Sequence, residues 1–166
     1  MNVPTRGVLF IHSAPSALCP HIEWAVGGAL GMPVSLDWTA QPVERSAYRA
    51  EYSWTGPAGS AATLASALQG WQRIRYEVTE EPAAGAEGVR YSYTPALGVF
   101  CGAIGQHGDL LVPEDRIKHA VVNDALGRKE LLSSLDELLG RPWDDELEPF
   151  RHAGADTPVR WLHQVV

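Results

Sequence analysis

Strict alternation of apolar and polar residues constrains this chain more than any other feature. In Val34 to Trp38, Val34, Leu36 and Trp38 share one side, while Ser35 and Asp37 share the other. From Tyr48 to Trp54, Tyr48, Ala50, Tyr52 and Trp54 oppose Arg49, Glu51 and Ser53. A third run, Trp71 to Thr79, sets Ile74, Tyr76 and Val78 against Arg73, Arg75 and Glu77. Side chains of a strand point alternately to opposite faces. Period two therefore predicts a sheet with one face in a core.

Other patterns fill the gaps between these runs. Gly7 to His12 is short, apolar and partly β-branched or aromatic, as in a buried strand. Cys19-Pro20 opens a helix with proline at its first position and Glu23 near its positive end. Gly31 and Pro33 close it. Pro57 to Gly70 reads as an Ala-rich helix with Ala61, Leu64, Ala65 and Leu68 on its inner stripe. The order βαββαβ is that of an α+β, ferredoxin-like fold, in which two helices cover one face of an antiparallel sheet.

The remainder extends this core. Glu80 to Gly88 is an acidic loop, and Val89–Tyr93 with Gly98–Ile104 form a hairpin leading to Leu110-Leu111-Val112. Pro113-Glu114-Asp115 opens a third helix, and Leu131, Leu132, Leu135, Leu138 and Leu139 form the apolar stripe of a fourth. Gly140-Arg141-Pro142 breaks it, Trp143 to Phe150 makes a short fifth, and Val159 to Val166 reads as a last strand. No linker divides the chain, so one domain is expected over 1–166, with a core at 5–80, an extension at 88–112 and a helical part at 113–152.

Composition narrows the function classes. With 45% hydrophobic and 20% charged residues in 166, the chain can bury one sizeable core. Six tryptophans are expected mainly in that core. A formal charge of −7 argues against duplex nucleic acid and, more weakly, against an anionic membrane. Cys19 and Cys101 are too few for a disulfide framework, which favours a reducing cytoplasm. The apolar run Ala25 to Met32 holds three glycines and reads as a helix end, not a membrane span.

The densest polar set lies between the first strand and first helix: His12, Ser13, Ser16, Cys19, His21 and Glu23. A metal site on His12, Cys19 and His21, with Cys101 and His107 nearby, would supply zinc-type ligands. The set lacks CxxC or HExxH spacing, so small buried cysteines and capped or surface histidines are the simpler reading. A Cys19 nucleophile at a helix N-terminus, with His12 as base, is the catalytic alternative. Ser13 and Ser16 lie in HSAPSAL, which is not a nucleophile elbow, and read as capping or turn residues. Gly102, Gly105 and Gly108 fit no phosphate-binding pattern and read as a β-turn that presents His107 and Asp109 for binding. Asp37, Arg49, Glu51, Arg73, Arg75 and Glu77 read as a solvated sheet face with cross-strand charge pairs. Aromatics are absent from that face, so it does not resemble an RNA-binding surface.

The phrases VLFIHSAPSALCPHIEWAV, SLDWTAQP, RYEVTEEP and HGDLLVPEDRI resemble an uncharacterised actinobacterial family, domain of unknown function 3145, over roughly Gly7 to Leu139. The resemblance implies a cytoplasmic protein, with a setting beside fatty-acid and acyl-thioester metabolism, and carries over no catalytic residue. The expected function is a non-catalytic ligand- or protein-binding module without cofactor. Its recognition surface would comprise His12, Ser13, Ser16, His21 and Glu23 together with His107 and Asp109. A homo-oligomer is compatible with this reading. The alternative is a small-molecule or thioester enzyme using Cys19 and His12, with or without a metal.

Overall fold

The computed structural model describes residues 3–152. Seven antiparallel strands form one sheet: β1 (Pro4–Pro15), β2 (Thr39–Ala40), β3 (Ala47–Pro57), β4 (Arg75–Glu80), β5 (Gly88–Thr94), β6 (Gly98–Ile104) and β7 (Leu110–Leu111). They lie in the order β2-β3-β1-β4-β5-β6-β7. Among the described residues the α-helices are α1 (Cys19–Leu30), α2 (Ser60–Leu68), α3 (Glu114–Ala125), α4 (Leu131–Leu138) and α5 (Arg141–Arg151). The architecture is α+β, and none of these helices is long and apolar enough to cross a membrane.

One face of the sheet carries the apolar core. Leu9 and Ile11 of β1, Trp54 of β3, Tyr76 and Val78 of β4 and Tyr93 of β5 pack against Ile22 and Val26 of α1. The α2 stripe Ala61, Leu64, Ala65 and Leu68 completes it, as its helical spacing predicts. Gly59 enters α2 at φ 92° with no side-chain cap. Glu80 of β4 supplies the missing acceptor, taking the N–H groups of Gly59 (3.2 Å) and Ala61 (3.1 Å). A carboxylate at this end of a helix also meets the positive end of its dipole.

Several expectations need correction. Val34 to Trp38 keeps its alternation, with Leu36 buried, but it is extended chain outside the sheet, and pairing is confined to Thr39–Ala40. The physical reason is Glu23 of α1, whose Oε1 accepts both the Leu36 N–H (3.0 Å) and the Trp38 indole N–H (2.9 Å). The segment is thus tied to the helix, not to a strand. Glu23→Ala leaves both donors without this acceptor and is expected to cost about 1–3 kcal/mol, read as a lower melting temperature.

The tryptophans divide more evenly than expected. Trp54 is buried, Trp38, Trp71 and Trp143 are half-buried, and Trp24 is 81% exposed on the outer side of α1. The α4 stripe is also less buried than its spacing suggests, with Leu132 and Leu139 exposed and Leu131, Leu135 and Leu138 half-buried. The predicted strand Val159–Val166, with Trp161, lies outside the described residues.

The largest correction concerns the other face of the sheet. The alternation is right, but the face is not solvated: α5 lies across it, burying Leu147 and Phe150, and Glu77 is fully buried beneath it. Arg75 is only 20% exposed, with its guanidinium 4.4 Å from the Phe150 ring centre. Asp37, Glu51 and Arg73 keep the exposure expected of them, and Arg49 is half-buried.

Candidate functional site

His12 and Ser13 do not lie in a loop. β1 runs on to Pro15, only Ser16–Leu18 forms a connecting 3-10 turn, and α1 starts at Cys19. A β-bulge interrupts the register here, because Ile11 pairs with Tyr76 and Ser13 already pairs with Arg75. Bulges re-aim side chains. Phe10 and His12 stack in parallel at 5.7 Å, so His12 points to the face covered by α5.

Under α5 the polar residues of the sheet converge on Glu77. Its carboxylate faces His12 Nε2 (2.9 Å) and accepts from Ser92 Oγ (2.9 Å), Arg151 Nε (2.7 Å) and Arg151 Nη2 (2.8 Å). Arg151 also reaches Asp144 at 2.8 Å. Burial on its own would raise the pKa of Glu77. The hydrogen bonds and charges of His12 and Arg151 outweigh it and hold the carboxyl at about 2. Burial opposes the charge of Arg151 too, but Glu77 and Asp144 hold its pKa above the ordinary value.

The folded pKa of Glu77 lies below that of an unfolded glutamate, so its ionisation favours the folded state at neutral pH. That contribution fades as pH falls from the ordinary carboxylate range toward 2. Acid titration followed by circular dichroism is therefore expected to show weakening stability below about pH 4.5 that a Glu77→Gln variant shows to a smaller extent.

Two more ties fasten this side. Ser13 Oγ (2.6 Å) and Arg75 Nη1 (2.8 Å) both donate to Glu44 Oε2. Gln41 Nε2 donates to the carbonyls of His12 (2.7 Å) and Phe150 (3.3 Å), joining β1 to α5. His12 and Ser13 thus serve a buried clamp. Ser16 and His21 are exposed, Glu23 is engaged as described, and His107 and Asp109 are exposed at the β6–β7 turn.

Cys19 Sγ contacts the Pro15 carbonyl at 3.6 Å. Burial first, and then the charge of Glu23, raises its thiol pKa. A raised pKa leaves little thiolate at neutral pH, the opposite of an activated nucleophile. Cys19 is expected to react with iodoacetamide no faster than a free thiol, measured by mass spectrometry over time. Both cysteines are free, and among the described residues no three His, Cys, Asp or Glu side chains group as a metal would need.

A different concavity was not foreseen. Between β6, α3, α4 and the start of α5 opens a cleft of about 700 Å³. Phe100 and Trp143 form an aromatic wall, their ring centres 5.3 Å apart. The Trp143 indole N–H donates to the Gly98 carbonyl at 2.9 Å, which fixes the ring. Arg116, His119, Ala120 and Asn123 of α3 line the opposite side. β7 pairs only with Ala103 and Ile104, so the edge of β6 at Val99–Cys101 opens into the cleft. The spacing of Arg116, His119 and Asn123 on one helix face was the signal available in the sequence. Nothing there showed that this face would meet Phe100.

The molecule is therefore an α+β protein of one antiparallel sheet, with a buried ionic clamp under α5 and an open, half-aromatic cleft beside it. Residues 8–164 match the family described as Protein of unknown function (DUF3145), and the chain belongs to that family. Neither the curated proteins nor the solved structures contain a match to it.

Proposed function

We propose that this chain is a non-catalytic ligand-binding module and that the cleft between β6 and α3–α5 is its ligand site. The observation that carries the reading is the cleft itself. It combines about 700 Å³ of open volume, an aromatic wall and a convergent row of polar side chains. Small-molecule sites are concave, largely apolar and fitted with a few polar groups. The catalytic alternative has less support. The Nε2 of His12 is taken up by Glu77, and the Cys19 thiol is held protonated.

The same proposal reads β1 to β4 with α1 and α2 as a ferredoxin-like unit, since β2-β3-β1-β4 is the strand order of that fold. It takes the whole chain as one cytoplasmic domain. The acyl-thioester setting implied by the resemblance supplies the first metabolites to try. His21 follows the Pro15 end of β1, whereas His107 and Asp109 stand at the opposite end of the sheet, beyond Ile104, so they do not join in one recognition surface.

A metabolite mixture titrated into isotope-labelled protein tests the reading. Amide shifts are expected at Val99–Cys101, along Arg116–Asn123 and at Trp143. Shifts confined to Ser16–Glu23 or His107–Asp109, or none with any mixture, would overturn it.

A further inference from the structure

We infer that the cleft takes an organic anion with a flat apolar body, its negative group on Arg116 and His119 and its body against Phe100 and Trp143. This rests on the cleft being the ligand site.

The charges of the lining carry the argument. Lys129 is held by Glu137 at 2.7 Å, so that pair is neutral in sum. Asp115 lies in the first turn of α3, where the positive end of the helix offsets its charge. Among the described residues no carboxylate engages the side chains of Arg116 or His119, which stand three apart on the face turned to the cleft. A guanidinium without a partner offers its planar fork to a carboxylate, phosphate or sulfonate, and a histidine one turn away adds a donor.

The opposite wall selects the rest of the ligand. Phe100 is backed by the Arg90 guanidinium, 5.5 Å from its ring centre, and pressed by Gly140, where an added Cβ would stand 3.0 Å from the ring. Trp143 spends its only hydrogen-bond donor on Gly98. The wall is thus rigid and offers π surface without a polar handle, which suits a flat hydrocarbon or aromatic body. A volume of about 700 Å³ is far more than an inorganic anion fills.

Two fluorescent probes that share a ring system test this. Anilinonaphthalene sulfonate carries the anion, and phenylnaphthylamine is the same body without it. The sulfonate is expected to bind the full chain at least about tenfold more tightly, the value of one good charge-assisted contact. Arg116→Gln with His119→Gln should erase that advantage and leave the neutral probe unchanged. Asn123→Trp fills the cleft from the helix surface and should exclude both probes without unfolding the protein. Equal binding of the two probes, both excluded by Asn123→Trp, would overturn the anion assignment and leave the cleft as the site. Binding of either probe that Asn123→Trp does not reduce, or no binding at all, would overturn the cleft itself. A melting curve for each variant confirms the fold.

Discussion

Glu77→Ala is expected to destabilise the protein by about 3–5 kcal/mol, because it removes one partner of a buried ion pair and strands the other. For a chain of this size that lowers the melting temperature by roughly 6–20 °C. The carboxylate is fully buried and meets His12, Ser92 and the Nε–Nη2 edge of the Arg151 guanidinium. Without it, Arg151 keeps, among the described residues, only Asp144 and, at the margin, Glu148, and Ser92 loses its buried acceptor. Combining Glu77→Ala with Arg151→Met should cost less than the two single changes summed, since the second removes the charge the first strands. The same double-mutant cycle decides the role of the cluster. Additive losses would mean that Glu77 and Arg151 do not act as a pair. A drop in the melting temperature of Glu77→Ala under about 2 °C would mean that α5 is not fastened there.

Much of the sheet was legible because alternation is a local signal. The inward sets Ile74, Tyr76, Val78 and Ala61, Leu64, Ala65, Leu68 come directly from periods of two and near 3.6. The bounds Gly98–Ile104 and the helix starts at Cys19 and after Pro113 followed from turn and proline chemistry in the same way. Val34 to Trp38 failed for a non-local reason. Alternation fixes which side chains face inward, but Glu23, more than ten residues away, decides what the backbone pairs with.

The polar face of the sheet was the deeper failure. Glu77 between Tyr76 and Val78 reads identically whether water or α5 covers it. Its partner Arg151 lies 74 residues away, and charge alone does not say which acid an arginine will meet. The bulge at His12–Ser13 was hidden as well, since it depends on the register of three strands. His12 and Ser13 read from the sequence as loop residues of a recognition surface, but both are buried within β1. Their use is internal: one closes the clamp and the other ties Glu44. The cleft was legible only in halves. The α3 stripe was present at helical spacing, and Phe100 and Trp143 stood as isolated aromatics until α5 brought them together.

Gly7→Ala is the second large effect, and it arises from backbone proximity alone. Gly7 sits in β1 between Trp54 of β3 and Glu80 of β4. An added Cβ would overlap the Thr79 carbonyl oxygen and stand 2.6 Å from Trp54 Cζ2. The indole can yield by turning in its pocket, but the carbonyl belongs to the neighbouring strand and cannot rotate away. β1 and β4 must separate there, weakening the pairing of Val8 with Thr79 as well. Overpacking of a core costs about 1–3 kcal/mol when only side chains adjust. A backbone shift at the sheet centre is expected to exceed about 3 kcal/mol, which places the loss of melting temperature above roughly 6 °C. Gly28→Ala in α1 is the control. Nothing lies within 4 Å of its added Cβ, and alanine in a helix interior is favoured over glycine by about 0.5–1 kcal/mol. Opposite signs for the two substitutions in one thermal-melt series are the expected result. A Gly7→Ala variant that melts with the parent would show that β1 and β4 do not approach as closely as their register requires.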